Sequence, residues 1–181
     1  MNFPRATYRV QLAPQFGFSD AARILPYLAS LGVSTLYCSP ILQARRGSTH
    51  GYDTTDPTRI SEQLGGEAAW SHLCHQARLL GMTILLDIVP NHMATSMENP
   101  WWRNVLAHGR FSPYASYFDI DWTPAARGLR NRVLLPILDR PFEDAITSGV
   151  LKLSFDSGEL TMSLGGLRLP LDVRSQGPLL Q

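Results

Sequence analysis

The segment Thr83–His92 changes abruptly from apolar to polar, and this change limits the possible folds more than any other feature of the chain. Its first four residues are uncharged, which is typical of a strand buried on both faces in a parallel sheet covered by helices. Asp87 follows this run, and Asn91 and His92 come after a proline that ends the strand. Polar side chains at the carboxyl end of a buried parallel strand are characteristic of α/β barrel active sites. A buried Asp holding local backbone, followed by an Asn-His turn, would give the same pattern.

The chain before this segment alternates between predicted strands and helices. In order, we predict a strand at Thr7–Leu12, a helix from Ser19 or Asp20 to Leu31, a strand at Val33–Cys38, a long loop from Gln43 to about Gly65, and a helix at Glu67–Leu80. Pro26 lies inside the first helix, so we expect an irregular first turn or a restart there. The β-α-β-α-β order predicts parallel crossovers, which suit a barrel or a doubly wound sheet. The long segments after the strands favour the barrel.

The pattern changes after His92. Asn99 followed by Pro100 predicts the start of a short helix, and residues 142–149 predict another. Two alternating runs, Leu151–Phe155 and Leu160–Leu164, predict a β-hairpin. We therefore interpret residues 1–92 as the first part of a catalytic barrel and residues 93–181 as an inserted subdomain. The segment Gly177–Gln181 carries no closing helix or strand, which we interpret as truncation.

Composition argues against several classes of protein. Hydrophobic residues make up 44% and charged residues 17% of the chain, as in a soluble globular protein. The formal net charge of +1 gives no sign of a surface for nucleic acid or anionic membrane. Cys38 and Cys74 lie in apolar runs and are interpreted as core residues in a reducing compartment. With no membrane-length apolar stretch and no secretion signal, we predict a cytoplasmic protein.

The long loop after the second strand contains the other candidate functional residues. His50, Tyr52 and Asp53 combine an imidazole, an aromatic face and a carboxylate. Tyr rings stack on sugar rings, and His, Asn, Asp and Arg bind sugar hydroxyls. A loop in which Asp caps a turn and Tyr covers the edge of the core is the structural alternative. Trp101 and Trp102 are candidate sugar platforms, although a Trp pair on a short helix is more often part of the core.

Other site types have little support in the sequence. The chain has no Gly-rich phosphate loop and no Cys/His spacing for zinc, so we predict no cofactor and no metal. Ser39 and Ser48 lack the surroundings of a nucleophile elbow, which argues against a serine hydrolase.

Two motifs in this sequence resemble the α-amylase superfamily of glycoside hydrolases: His50-Gly51-Tyr52-Asp53, and Asp87 followed by Asn91-His92. Longer stretches together resemble the N-terminal part of the maltooligosyltrehalose synthase family within it. They are Ala6–Leu12, Tyr37–Ala44, Gly47–Asp53, Asn99–Trp102 and Tyr117–Trp122. The resemblance implies that the chain is the N-terminal part of a TIM (β/α)8 barrel, comprising its first three strands, followed by an inserted α+β subdomain.

The resemblance also implies an activity. Members of the family convert the reducing-end α-1,4 glucosidic bond of a maltooligosaccharide into an α,α-1,1 bond, an intramolecular transglycosylation in trehalose biosynthesis. The implied mechanism is retaining, with a carboxylate nucleophile and a carboxylic acid about 5–5.5 Å apart. Water must be excluded while the released glucose turns over, because hydrolysis would otherwise compete.

The implied roles can be transferred residue by residue. Tyr52 matches the stacking aromatic, His50 and His92 match hydroxyl-binding histidines, and Asp53 matches a pocket-closing carboxylate. Asp87 and Asn91 match supports beneath them, and Asn91 is also counted with the substrate-binding residues. In some amylases the position of Asn91 binds calcium, but one side-chain oxygen does not make a calcium site.

The catalytic carboxylates of the family come from later strands, so we predict none within this chain and no activity for it alone. The predicted partner is a maltooligosaccharide, with no nucleic acid or membrane partner and no prediction of oligomeric state. Two alternatives remain open at this point. One is another α-glucan hydrolase or transferase of the superfamily, and the other is a non-catalytic carbohydrate-binding relative.

Overall fold

A computed structural model describes residues 4–156 and 158–177. The described residues up to Thr95 form one compact unit and those from Ser96 onward form a second. In chain order the elements are β1 Thr7–Val10, α1 Phe18–Ser30, β2 Thr35–Cys38, β3 Leu42–Ala44, β4 Thr54–Ile60, α2 Gly66–Leu79, β5 Thr83–Leu86, α3 Pro100–His108, α4 Phe142–Thr147, β6 Leu151–Asp156, β7 Glu159–Leu164, β8 Leu167–Pro170 and α5 Val173–Gln176. The division into a barrel part and an inserted subdomain stays a prediction.

The first unit is built on a parallel sheet in the order β1-β2-β5. The register places Arg9, Tyr37 and Leu85 side by side across the three strands. Pairing continues just past β5, because the Asp87 N–H donates to the Cys38 carbonyl at 2.9 Å. The prediction of three parallel strands separated by helices is therefore confirmed, and Asp87 is held by the sheet itself.

One face of this sheet carries the hydrophobic core. Buried side chains of the strands and of α1 and α2 form a single cluster that includes Val10, Leu36, Phe18, Leu25 and Leu73. Each fully buried Leu or Phe contributes roughly 1.5–3 kcal/mol to folding through removal of apolar surface from water. Cys38 belongs to the same cluster, and burial raises the pKa of its thiol to about 12. The interpretation of Cys38 as a core residue is therefore confirmed.

The opposite face of the sheet is polar. Alternation along the strands places Arg9 and Gln11 of the β1 segment on this face, beside Tyr37 and Leu85. In β5, Leu85 is 49% exposed and Leu86 is 39% exposed. The prediction that this strand is buried on both faces is wrong, because α1 and α2 cover only one face and β5 lies at an edge of the sheet.

Helix α1 begins earlier than predicted and runs through its proline. Its N-cap is Gly17, whose N–H donates to the Asp20 carboxylate at 2.9 Å, so Asp20 acts from the first turn rather than as the cap. Pro26 has no N–H to donate, which removes one helical hydrogen bond. The expected restart is nevertheless absent, because Leu25 and Leu28 on either side of Pro26 are both buried and hold the helix against the core.

The segment predicted as a loop from Gln43 to Gly65 contains a two-stranded antiparallel sheet. Strands β3 and β4 pair with irregular register, and a 3-10 turn at Glu62–Leu64 follows. The sequence concealed these strands because β4 contains Asp56 and Pro57, residue types that are depleted in strands. The candidate functional loop, which contains His50, Tyr52 and Asp53, lies between β3 and β4.

The second unit contains the predicted short helix and hairpin. Asn99 is fully buried and its side-chain oxygen accepts from the N–H groups of Trp101 and Trp102, at 3.0 and 3.1 Å, which caps α3. Strands β6 and β7 form the predicted hairpin. The third strand of this sheet, β8, was not predicted from the sequence, although Gly165 at φ +57° makes the turn into it.

The two tryptophans have different surroundings within the second unit. Trp102 is buried and its ring lies 5.1 Å from the Phe118 ring. Trp101 is half-buried and stacks on Tyr114, with ring centroids 5.4 Å apart and planes at 9°. Trp102 is thus a core residue, as the structural alternative predicted.

Candidate functional site

Tyr52 and Asp87 are hydrogen-bonded although they come from distant parts of the sequence. The Tyr52 hydroxyl donates to Oδ2 of Asp87 at 2.5 Å. Tyr52 lies in the segment between β3 and β4, and Asp87 directly follows β5. The bond therefore joins the connection between β3 and β4 to the end of a core strand, and a charged acceptor makes it stronger than a neutral hydrogen bond.

Arg9 of β1 binds both members of this pair. One guanidinium nitrogen, Nη2, donates to the Tyr52 hydroxyl at 3.2 Å and to the Asp87 carboxylate at 3.3 Å. The other, Nη1, donates to Oε1 of Gln11 at 3.1 Å. The Arg9 guanidinium also lies over the ring of Tyr37, 5.4 Å from its centroid. Arg9 therefore contacts groups from all three parallel strands or their ends.

The three groups fix one another's ionisation. The hydrogen bond from Tyr52 is the main cause that lowers the pKa of Asp87, and Arg9 adds to it against the opposing effect of burial. The same hydrogen bond to Asp87 raises the pKa of Tyr52. Asp87 in turn raises the pKa of Arg9. At neutral pH the site therefore contains a carboxylate, a neutral phenol and a guanidinium cation.

His50 lies beside Tyr52, and a backbone contact fixes the tautomer of its neutral ring. The Tyr52 N–H donates to Nδ1 of His50 at 3.0 Å, so a neutral His50 ring carries its proton on Nε2. The two rings are nearly parallel, with centroids 5.9 Å apart and planes at 20°. His50 is half exposed, at 54% of its side chain, and Nε2 is a hydrogen-bond donor.

Asp53 is used within its own loop. Its carboxylate accepts a hydrogen bond from the Ser48 hydroxyl and lies 3.5 Å from Nε of Arg45 and 4.0 Å from Nδ1 of His50. The Ser48 oxygen accepts in turn from the Gly51 N–H at 3.1 Å. The observed contacts of Asp53 hold the loop together.

Asn91 and His92 are exposed and paired with each other. Nδ1 of His92 lies 3.0 Å from Oδ1 of Asn91. An amide oxygen only accepts, so Nδ1 donates and a neutral His92 ring offers Nε2 as an acceptor. Among the residues that the structure describes, no hydrogen bond joins this pair to Tyr52 or Asp87. The structure thus assembles Tyr52 and Asp87 directly, and places Asn91 and His92 in the segment after Asp87.

Comparison with known proteins shows the family. The model of the α-amylase catalytic domain matches residues 21–144, which is more than half of the chain. The chain belongs to the α-amylase family. This is a family of TIM-barrel catalytic domains, and the parallel sheet of the first unit agrees with such a barrel.

Several proteins that are similar to this α-amylase family chain are named as maltooligosyl trehalose synthases or α-amylases. A Mycobacterium tuberculosis (strain ATCC 25618 / H37Rv) protein provisionally named maltooligosyl trehalose synthase is 45% identical over 94% of the chain. The solved maltooligosyltrehalose synthase from Arthrobacter ramosus shares 40% identity and a TM-score of 0.84 over 96% of the chain. The Bacteroides thetaiotaomicron α-amylase SusG is 39% identical over 55% of the chain. The chain spans 22% of the length of the mycobacterial protein and of the Arthrobacter structure.

The part of the chain that the structure describes has neither a cluster of metal-binding side chains nor a membrane-spanning helix. Over residues 4–156 and 158–177, no group of three or more His, Cys, Asp or Glu side chains is placed to hold a metal ion. Among the helices in those residues, none is long and apolar enough to cross a membrane.

Arg9 is the site residue that sequence reasoning missed. The signal was present, because the alternation of Thr7–Leu12 puts Arg9 and Gln11 on the face opposite the core residues Val10 and Leu12. A charged residue on the inner-facing side of a predicted barrel strand indicates a partner of opposite charge. Asp87, at the end of a neighbouring strand, is that partner.

Proposed function

We propose that this chain belongs to an enzyme that converts the reducing-end α-1,4 bond of a maltooligosaccharide into an α,α-1,1 bond, in trehalose biosynthesis. The observation that carries the proposal is the similarity to maltooligosyl trehalose synthases over nearly the whole chain, at 45% identity for the mycobacterial relative. The site geometry supports it, since a tyrosine ring held at its hydroxyl by Asp87 and Arg9 suits a sugar ring.

In this proposal the chain supplies one side of the sugar-binding pocket. The Tyr52 ring stacks on the C–H face of a glucosyl unit, and the two histidines bind its hydroxyls. The neutral tautomers of the two histidines offer opposite hydrogen-bonding groups to these hydroxyls, because Nε2 of His50 donates and Nε2 of His92 accepts. Asn91 holds His92, while Asp53 closes the pocket by keeping its loop in place. Asp87 supports Tyr52 from beneath.

We further propose that the nucleophile and the acid/base lie outside residues 1–181. The carboxylate of Asp87 is bound by a phenol and a guanidinium, and that of Asp53 by a hydroxyl of its own loop. A retaining pair needs two carboxyl groups about 5–5.5 Å apart on either side of the scissile bond. Asp53 and Asp87 are instead occupied in holding Tyr52 and its loop, so positioning is the role that their contacts support.

A second function has specific support. α-Amylases such as SusG match a large part of the chain, so hydrolysis or intermolecular transfer on α-glucans is the main alternative. Tyr52, His50 and the Asp87 segment suit a glucosyl unit in either reaction. A non-catalytic carbohydrate-binding relative would also keep these residues. A maltooligosaccharide partner is common to all three, and a cytoplasmic location stays a prediction.

Product analysis separates these functions. The protein expressed from the complete gene is incubated with maltopentaose, and reducing ends and the α,α-1,1 anomeric proton signal are followed together. We expect reducing ends to disappear as the α,α-1,1 signal grows, while total chain length is conserved. Shorter maltooligosaccharides with new reducing ends would establish a hydrolase instead. Calorimetric binding of maltopentaose without any turnover would establish the non-catalytic relative.

A further inference from the structure

Arg9 contacts both partners of the Tyr52–Asp87 hydrogen bond. Its Nη2 reaches the Tyr52 hydroxyl and the Asp87 carboxylate, 43 and 78 positions away in the sequence. Its Nη1 is fixed by Gln11, two residues along the same strand. The guanidinium also lies over the Tyr37 ring. A planar cation that is hydrogen-bonded through both of its terminal nitrogens and lies over an aromatic ring has little freedom to move.

We propose that Arg9 is a positioning residue of the sugar site, which fixes the Tyr52 hydroxyl and the Asp87 carboxylate so that the Tyr52 ring keeps one orientation. The inference rests on the proposed function, because it assigns Arg9 a role in the same pocket. Arg9 acts through Tyr52 and Asp87, and its own contacts are with protein groups. Its effect on turnover is therefore indirect.

The need for a cation follows from the surroundings of Asp87. The Asp87 side chain is only 16% exposed, and its Oδ2 accepts from both Tyr52 and Arg9. A carboxylate withdrawn from water requires compensating charge or hydrogen bonds, or it favours its neutral form. Removal of Arg9 takes away the cation beside Asp87 and leaves Tyr52 as the main donor to its carboxylate, with a smaller effect from Tyr37. The Tyr52–Asp87 bond then weakens, and the ring loses its fixed orientation.

The shape of the guanidinium is part of the argument. Two N–H groups on one nitrogen point to two acceptors, while the second nitrogen binds a third in the same plane. A lysine ammonium at this position would keep the charge beside Asp87 but lose the planar fork and the stacking on Tyr37. Lysine should therefore restore the charge effect and only part of the positioning effect.

The activity test uses three variants of the protein expressed from the complete gene: Arg9→Gln, Arg9→Lys and the control Arg23→Gln. Arg23 pairs with Asp20 on the exposed side of α1 and its side chain is 79% exposed. We expect Arg9→Gln to lower kcat/KM for maltopentaose about 10- to 100-fold, mostly through kcat, since lost hydrogen bonds to charged groups have effects of that order. Arg9→Lys should recover part of this loss, and Arg23→Gln should match the unaltered protein.

A double-mutant cycle with Asp87→Asn supplies a readout without turnover. We expect Arg9→Gln to lower Tm in the original protein and to have a much smaller effect in the Asp87→Asn background, because the interaction is already gone. The cycle is repeated on maltopentaose affinity by calorimetry. If the original protein makes no trehalose-ended product, the proposed function fails, while the Tm and affinity cycles still test Arg9.

Two results would overturn the role of Arg9, and a third would overturn the role of its planar guanidinium. One is an Arg9→Gln protein with unchanged kcat and affinity, even if its Tm is lower, since this would make Arg9 a purely stabilising residue. Another is an equal effect of Arg9→Gln in both backgrounds. If Arg9→Gln does not fold, Arg9→Lys takes its place in the cycle, and full activity of Arg9→Lys would show that the planar fork has no positioning role.

Discussion

The hydroxyl of Tyr52 donates to the Asp87 carboxylate at 2.5 Å, which attaches the β3–β4 connection to the end of strand β5. An aromatic ring in a surface segment would otherwise sample several orientations. The bond to a carboxylate in the sheet gives this ring a fixed end, and the backbone contact with His50 fixes the other. The ring face is therefore preorganised before any ligand arrives, which reduces the ordering cost of binding.

Removing the ring of Tyr52 and removing only its hydroxyl should have separable effects. Tyr52→Ala loses stacking worth about 0.5–1.5 kcal/mol beyond area burial and should sharply lower kcat/KM. Tyr52→Phe keeps the ring but loses the bond to Asp87, and should give an intermediate value. Steady-state kinetics gives kcat/KM for both proteins, with Tyr27→Ala on the exposed face of α1 as the control. Near-normal turnover of Tyr52→Ala would show that Tyr52 is a structural residue.

The Tyr52–Asp87 bond should make stability depend on pH at both ends of the range. The pKa of Asp87 is lowered by folding, so its contribution exists above the unfolded pKa near 4 and is lost as pH falls through the folded pKa. The pKa of Tyr52 is raised, so its contribution exists below the unfolded pKa near 10 and is lost as pH rises through the folded pKa.

This dependence is measured as the Tm difference between the original protein and Tyr52→Phe from pH 3 to pH 11. We expect a constant difference between about pH 5 and pH 9 that shrinks outside this window, because the bond requires an ionised Asp87 and a neutral phenol. A difference that stays the same over the whole range would contradict the ionisation states assigned to the pair.

Gly51 and Gly47 provide a matched pair for testing the functional loop. Both have positive φ, +79° and +78°, so alanine is strained by about 1–2 kcal/mol at either position. A Cβ at Gly51 would also lie 3.2 Å from the carbonyl oxygen and 3.3 Å from the Cβ of Pro40, whereas nothing lies within 4 Å at Gly47. Gly51→Ala should therefore displace the neighbouring His50 and Tyr52. We expect a larger fall in kcat/KM for Gly51→Ala than for Gly47→Ala, and equal falls would contradict the contact with Pro40.

His92→Asn should depress kcat more than it raises KM. In the proposed function its ring binds a sugar hydroxyl whose contact strengthens as the ring flattens toward the oxocarbenium-like state. The lost bond is worth on the order of 1–3 kcal/mol, or roughly ten- to a hundredfold in rate. Kinetics and Tm are measured on one preparation, with His75→Asn on the exposed part of α2 as control. An unstable but fully active His92→Asn protein would remove His92 from the site.

The alternating strands and helices of the first unit were predicted from the sequence. Strands β1, β2 and β5 and helices α1 and α2 follow from apolar periodicity, because each buries one stripe against the same core. Strands β3 and β4 were hidden because β4 carries Asp56 and Pro57, so tertiary context rather than propensity decides their conformation. The exposure of Leu85 was also unpredictable from the local pattern, since it depends on which face the helices cover.

The sequence suggested most residues of the candidate site one by one, but not the network of contacts that joins Arg9, Tyr52 and Asp87. Tyr52 and Asp87 were each singled out by their motifs, yet nothing local in the sequence showed that they bind each other. Arg9 was missed because its role depends on register, which places it beside Tyr37 and near the end of β5. Asp53 differs from these residues, because its partners Ser48 and Arg45 lie in its own loop.

The contacts among Arg9, Tyr52 and Asp87 also bear on the order of folding during synthesis. All three residues lie within the first unit: Arg9 is in strand β1, Tyr52 lies between β3 and β4, and Asp87 directly follows β5. N-terminal segments leave the ribosome first and begin to fold before later ones are made. Among the residues that the structure describes, the hydrogen bonds of this network involve none after Asp87, so a nascent chain already holds the partners that orient the Tyr52 ring while downstream segments are still being translated.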